Sequence, residues 1–227
     1  MSTILRQVFN LYKHSGGLNY IGEGITQLQH ATQAALLAER EGFTKPVILA
    51  AFLHDVGHLV HYGRRVREVK DNKNGSLFSR IGLQSNENEE LVSEDNYDIP
   101  PSNLMGNYGV MNHEEIGCNF LRSYRFPFVT CDMVKHHVNT KRFNVTINPD
   151  YYDKLSDASK ETLTYQGGFM TKEEMIDFIR DPLYEYNLKL REWDNGAKST
   201  DPSLLKEIDN MDAIEKYYKM ACEVVPR

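Results

Sequence analysis

The sequence is short of cysteine, of positive charge and of long apolar runs. Only Cys118, Cys131 and Cys222 occur among 227 residues. They are widely spaced and odd in number, so neither a CxxC metal motif nor a disulfide framework is indicated, and a reducing cytoplasmic setting is expected. Lysine and arginine total 26 against 32 acidic residues, a net charge of -6. That balance argues against broad attraction to nucleic acid or to an anionic membrane. No run reaches the roughly 20 apolar residues that span a bilayer, and the opening "MSTILRQVFNLYKHSGG" lacks the apolar stretch and cleavage site of a signal peptide. A soluble chain with a real core is expected, organised as a single domain over 1–227.

What is present is helical periodicity. Thr26-Gln27-Leu28-Gln29 reads as a capping box opening a helix, with Leu28, Ala31, Ala35 and Ala38 on one stripe and Gly42 as its stop. "KPVILAAFLHDVGHLVHYG" reads by length as one further helix, with Pro46 in its first turn. Residues 64–109 lose periodicity and read as an insertion or lid between the second and third core helices. Asn112, with Glu115 three residues on, is positioned to cap "NHEEIGCNFLRSYR", and "PFVTCDMVKHHV" reads as the next helix. From Asn144 to Gly168 the chain is polar and turn-rich. Thr171 and Glu174 then cap a helix broken at Asp181-Pro182, a second helix runs to about Asp194, and one amphipathic helix follows from Asp201-Pro202. The expected fold class is all-α, with about seven or eight helices.

The stretch "FLHDVGHLVH" puts three histidines and an aspartate into an apolar helix pattern. A single buried histidine is ordinarily a satisfied core residue. The series His30, His54-Asp55, His113, His137 and Asp194 is different, because it spreads over five predicted helices, each member beginning or ending an apolar segment. Helices packed side by side can aim such groups into one pocket and hold metal there. Adjacent His54 and Asp55 diverge by about 100° on a helix, while His58 returns one turn later to the face of His54.

This ordered pattern resembles the HD-domain superfamily, whose members carry the histidine-aspartate pair found here as His54-Asp55. Four flanking stretches narrow the resemblance: "NYIGEGITQLQHA" before and around His30, "HVNTKRF" after His137, "YQGGFMTKEE", and "KLREWDNGAK" around Asp194. They look like the PhnZ family of diiron oxygenases, which cleave the carbon–phosphorus bond of 1-hydroxyphosphonates. The resemblance implies an HD-domain helical bundle and two iron ions in a mixed-valence Fe(II)/Fe(III) state. His30, His54, Asp55 and Asp194 would hold one iron, and Asp55, His113 and His137 the other, with Asp55 bridging. His137 rather than His136 is the implied ligand because the family's lysine stands four residues beyond its histidine, as Lys141 does here.

Imidazole and carboxylate donors suit iron on independent chemical grounds. A phosphonate dianion needs cationic donors, and Lys141, Arg191 and His58 each stand three or four residues from an implied ligand. Ser159, Thr162 and Gln166 complete the implied substrate set, and Tyr20 and Glu23 match the family's gating positions. The implied reaction takes O2 and, as substrate, (R)-2-amino-1-hydroxyethylphosphonate, yielding glycine and phosphate. The trimethylammonium analogue, yielding glycine betaine, is the nearest alternative, with Tyr62 and Tyr108 as possible aromatic walls. A metal-dependent HD phosphohydrolase built on the same ligands is the rival from another reaction class.

Overall fold

The computed structural model describes residues 2–20, 22–60, 104–105 and 108–226. At its centre is Lys45–Leu53 (α3), in which every residue from Val47 to Leu53 is buried. A helix apolar on all sides must be enclosed by other helices, and four surround this one. They are Gln27–Arg40 (α2), Phe128–Ile147 (α5), Tyr184–Gly196 (α9) and Ala213–Val224 (α11). Ser2–Ser15 (α1) closes the bundle against α11, and His113–Ser123 (α4) packs along α5. Phe52 sits among the rings of Phe9, Tyr12 and Tyr217, and the Tyr12 hydroxyl donates to the Phe52 carbonyl at 2.9 Å.

Pro149–Asp153 (α6), Asp157–Tyr165 (α7) and Lys172–Ile179 (α8) lie between α5 and α9, and Pro202–Asn210 (α10) packs on α2. The fold is all-α. The β pairings among the described residues are two isolated bridges, Asn19 with Thr26 and Leu104 with Val110. No described helix is long and apolar enough to cross a membrane. The segment expected to form an insertion, 64–109, lies outside the described residues apart from 104, 105, 108 and 109, as do His61 and Tyr62.

Both expected capping boxes form: Thr26 with Gln29, and Thr171 with Glu174. The break at Asp181-Pro182 separates α8 from α9 as expected. Other boundaries differ. Asn112 does not cap α4 with its side chain; it takes the left-handed conformation at φ 56. The stretch 144–168 is largely helical, because α5 runs on to Ile147 while Pro149 and Ser156 start the short helices α6 and α7. The expected final helix is two, since the Asp212 side chain accepts from the Glu215 backbone and restarts the chain as α11.

The most consequential difference lies in the stretch with the histidine-aspartate pair. The helix does not continue through it. α3 stops at Leu53, His54 and Asp55 form a turn in which the His58 backbone N–H donates to the Asp55 carbonyl at 3.0 Å, and 56–60 are helical again. Gly57 shows why the next helix must approach so closely: a Cβ there would lie 2.0 Å from the His113 carbonyl oxygen. Only glycine admits the start of α4 at that distance.

Candidate metal centre

The break at the end of α3 presents His54 and Asp55 to the bundle interior, where α2 brings His30, α4 His113, α5 His137 and α9 Asp194. All six are buried. The imidazoles meet in two pairs: His30 Nε2 lies 3.1 Å from His54 Nε2, and His113 Nε2 lies 3.0 Å from His137 Nε2. Asp55 stands between the pairs and divides its oxygens. Oδ2 is 3.3 Å from His54 Nε2 and 3.8 Å from His30 Nε2, while Oδ1 is 3.5 Å from the Nε2 atoms of both His113 and His137. Asp194 Oδ1 joins the first pair, 3.5 Å from His30 and 3.9 Å from His54.

The other nitrogen of each ring explains this convergence. Nδ1 of His30 faces the Ala197 carbonyl at 2.9 Å, that of His54 Ala51 at 2.9 Å, that of His113 Val110 at 3.2 Å and that of His137 Val134 at 2.6 Å. A carbonyl can only accept, so each Nδ1 carries the proton and donates it, leaving each neutral ring a bare lone pair on Nε2. Two such lone pairs at 3.0 Å repel unless a cation lies between them. A proton can fill only one of the two gaps. Burial disfavours charge on His54 but Asp55 outweighs it and raises the ring to about 9, whereas burial and the charge of His137 push His113 down to about 3 and leave the His113–His137 gap without a proton. His30, His54 and Asp194 form one group, and Asp55, His58 and His113 another, whose donor atoms lie close enough together to hold a metal ion.

A pocket opens beside this cluster, and Asp55, His58, Lys141, Arg191 and Asp194 are among its lining residues. Arg191 is buried on α9; its Nη1 donates to Asp194 Oδ2 at 2.5 Å and its Nε to the Tyr151 hydroxyl at 2.7 Å. Its Nη2, also buried, has no hydrogen-bond partner among the described residues. Lys141 donates to Thr162 Oγ1 at 2.9 Å. Burial, aided by the Arg191 charge, brings its amine down to about 7. Gln166 Oε1 is a second buried polar atom without a partner among the described residues, and Ser159, Thr162 and Gln166 line the same pocket.

His58 lines the same pocket and stacks on His113, with centroids 4.0 Å apart. Its Nδ1 accepts from the Val110 N–H at 3.1 Å, so in the neutral ring Nε2 carries the proton.

Tyr20 stacks on His30 with centroids 3.8 Å apart, and Glu23 pairs with Lys198 at 2.9 Å, all beside the pocket. Gly22 turns the segment between them with φ +76, and a Cβ there would meet Ala158 of α7 at 2.7 Å.

The sequence pattern did not single out Lys198, although it closes the quoted "KLREWDNGAK" four residues past Asp194. Nor did it single out Tyr151, whose hydroxyl also accepts from Asn195 at 2.9 Å. Tyr108, named above as a possible aromatic wall, lines the pocket, and Met105 lines it too, a placement that no local periodicity signals.

No family model matches the chain. Similarity to individual proteins is extensive. A hydroxymethylphosphonate dioxygenase of Gimesia maris is 31% identical over 182 residues, covering 80% of this chain and 72% of that protein. A glycine-betaine-forming 1-hydroxy-2-(trimethylamino)ethylphosphonate dioxygenase of Leisingera caerulea is 29% identical over 198 residues, covering 87% and 82%. An uncharacterised protein of Acanthamoeba polyphaga mimivirus is 37% identical over 197 residues, covering 87% and 74%.

Proposed function

The chain belongs to the hydroxyphosphonate dioxygenase family, and from that membership we propose that it uses O2 to cleave the carbon–phosphorus bond of a small 1-hydroxyphosphonate. The substrate in this reading is (R)-2-amino-1-hydroxyethylphosphonate, and the products are glycine and phosphate. The observation that carries it is the pair of buried cations, Arg191 and Lys141, lining one pocket with the carboxylate shared by two histidine pairs. Buried cations facing a cavity suit a small anion held beside the metals.

His30, His54, Asp55 and Asp194 would hold one iron and Asp55, His113 and His137 the other, as a mixed-valence Fe(II)/Fe(III) pair. Iron there would supply activation of O2 and a Lewis acid for the substrate's oxygen atoms. The chain's own part is binding, orientation and exclusion of water. Arg191 would donate its unpartnered Nη2–H to a phosphonate oxygen while Tyr151 and Asp194 fix the guanidinium plane. Lys141 adds a positive charge, Ser159 and Thr162 add hydroxyls, and His58 offers Nε2–H because Val110 occupies its Nδ1. Tyr20 and Glu23 close the entrance, with Lys198 holding the glutamate.

Gln166 Oε1 favours a primary amine over the trimethylammonium analogue. An ammonium N–H can satisfy this buried acceptor, whereas a quaternary ammonium has no N–H to give. The test is iron-loaded protein with (R)-2-amino-1-hydroxyethylphosphonate, following oxygen uptake and phosphate release together. Coupled consumption and release supports the oxygenase; phosphate release without oxygen uptake would instead show the hydrolytic chemistry of the phosphohydrolase rival.

A further inference from the structure

A second convergence of metal-binding groups lies outside the pocket. Asp132 and His136 stand four residues apart on one face of α5, and Asp181 meets them from the link between α8 and α9. One donor atom from each lies within 4.8 Å of the other two. His136 Nδ1 is 2.9 Å from Asp181 Oδ2. Yet this buried nitrogen makes no hydrogen bond with any described residue, because the oxygen is off the direction in which the ring could donate.

Asp132 supplies a separate observation. It is only 9% exposed, and it forms no hydrogen bond or ion pair with any described residue. Asp181 Oδ1 is occupied by the Leu183 N–H at 2.7 Å, which leaves Oδ2 for the cluster. Of the cations whose charge reaches Asp132, Lys135 is paired with Glu115 at 3.1 Å, and Arg122 acts on Asp132 without an ion pair to it. Two carboxylates brought together at a largely enclosed place repel each other, and a cation is the ordinary remedy.

We propose that Asp132, His136 and Asp181 form a mononuclear site for a divalent first-row cation of the zinc type, separate from the centre at Asp55. Two carboxylates and a neutral imidazole balance a divalent charge. Tetrahedral metal–ligand bonds of about 2.0–2.2 Å set neighbouring donor atoms about 3.3–3.6 Å apart, so the 2.9 Å between His136 and Asp181 need open by only a few tenths of an ångström. The bound ion would tie α5, which carries His137 and Lys141, to the start of α9, which carries Arg191 and Asp194.

The test adds zinc to iron-loaded protein, removes the excess and measures both metals per chain by mass spectrometry. The expected result is one bound zinc with iron undiminished, and a melting temperature raised by zinc. Asp132→Asn, His136→Gln and Asp181→Asn should each weaken zinc binding at least tenfold while iron content and helical circular dichroism stay unchanged. Cobalt(II) in the wild-type protein should give visible absorption of a nitrogen- and oxygen-ligated ion. Zinc that binds only by displacing iron overturns the proposal. So does undiminished zinc binding in the three variants, which would leave a protonated His136 bridging two carboxylates as the account of the cluster.

Discussion

Arg191 reaches Asp194 from one turn earlier on α9, with Nη1 2.5 Å from Oδ2, and keeps Nη2 buried without a partner among the described residues. One guanidinium thereby orients a proposed metal ligand and faces the pocket. Arg191→Lys keeps a charge but loses the planar fork and the bond to Tyr151. Losing a charge-assisted hydrogen bond worth about 1.5–3 kcal/mol should raise KM for the phosphonate about 10- to 100-fold, with iron content retained. Steady-state kinetics with metal analysis checks this; an unchanged KM contradicts the assignment.

Lys141 gives a pH dependence whose sign follows from its lowered pKa. Its amine is charged below about 7 and neutral above, and a phosphonate binds the charged form. Substrate affinity should therefore fall on the alkaline side, by at most about tenfold per pH unit for one proton. Lys141→Arg stays charged throughout and should lack that alkaline loss. The same alkaline limb in the variant would show that another group causes it.

Gly57 is the point where the break after α3 meets α4. Gly57→Ala should displace His113, destabilise the fold by about 1–3 kcal/mol as overpacking does, and weaken metal binding in the His113–His137 half before the other. Thermal unfolding and metal titration measure the two effects, and wild-type behaviour in both would contradict the close approach.

Glu23→Ala removes the partner of Lys198 without touching the six proposed ligands. Iron content should equal that of the wild type, while KM for O2 or for the phosphonate changes. Loss of iron from this variant would remove the gating role.

Much of the centre was legible because ligand spacing survives without knowledge of tertiary structure. His30, His113 and His137 stand on helices whose apolar stripes mark their inward faces, and the wholly apolar α3 announced a central helix. The turn at His54-Asp55 was not legible. Helical periodicity runs straight through it, and the interruption reflects the contact between Gly57 and His113, 56 positions apart in the chain. Lys198 and Tyr151 were missed for a related reason: each acts through a partner distant in sequence, Glu23 and Arg191. The restart at Asp212 did carry a local signal, an aspartate three residues before Glu215, masked by continuous amphipathic spacing on either side.

The shared carboxylate of Asp55 is most directly tested by electron paramagnetic resonance of iron-loaded protein reduced by one electron per two irons. The account predicts the signal of an exchange-coupled ferrous–ferric pair, altered when (R)-2-amino-1-hydroxyethylphosphonate is added. A signal from isolated ferric iron alone, or a coupled signal indifferent to the phosphonate, would contradict it.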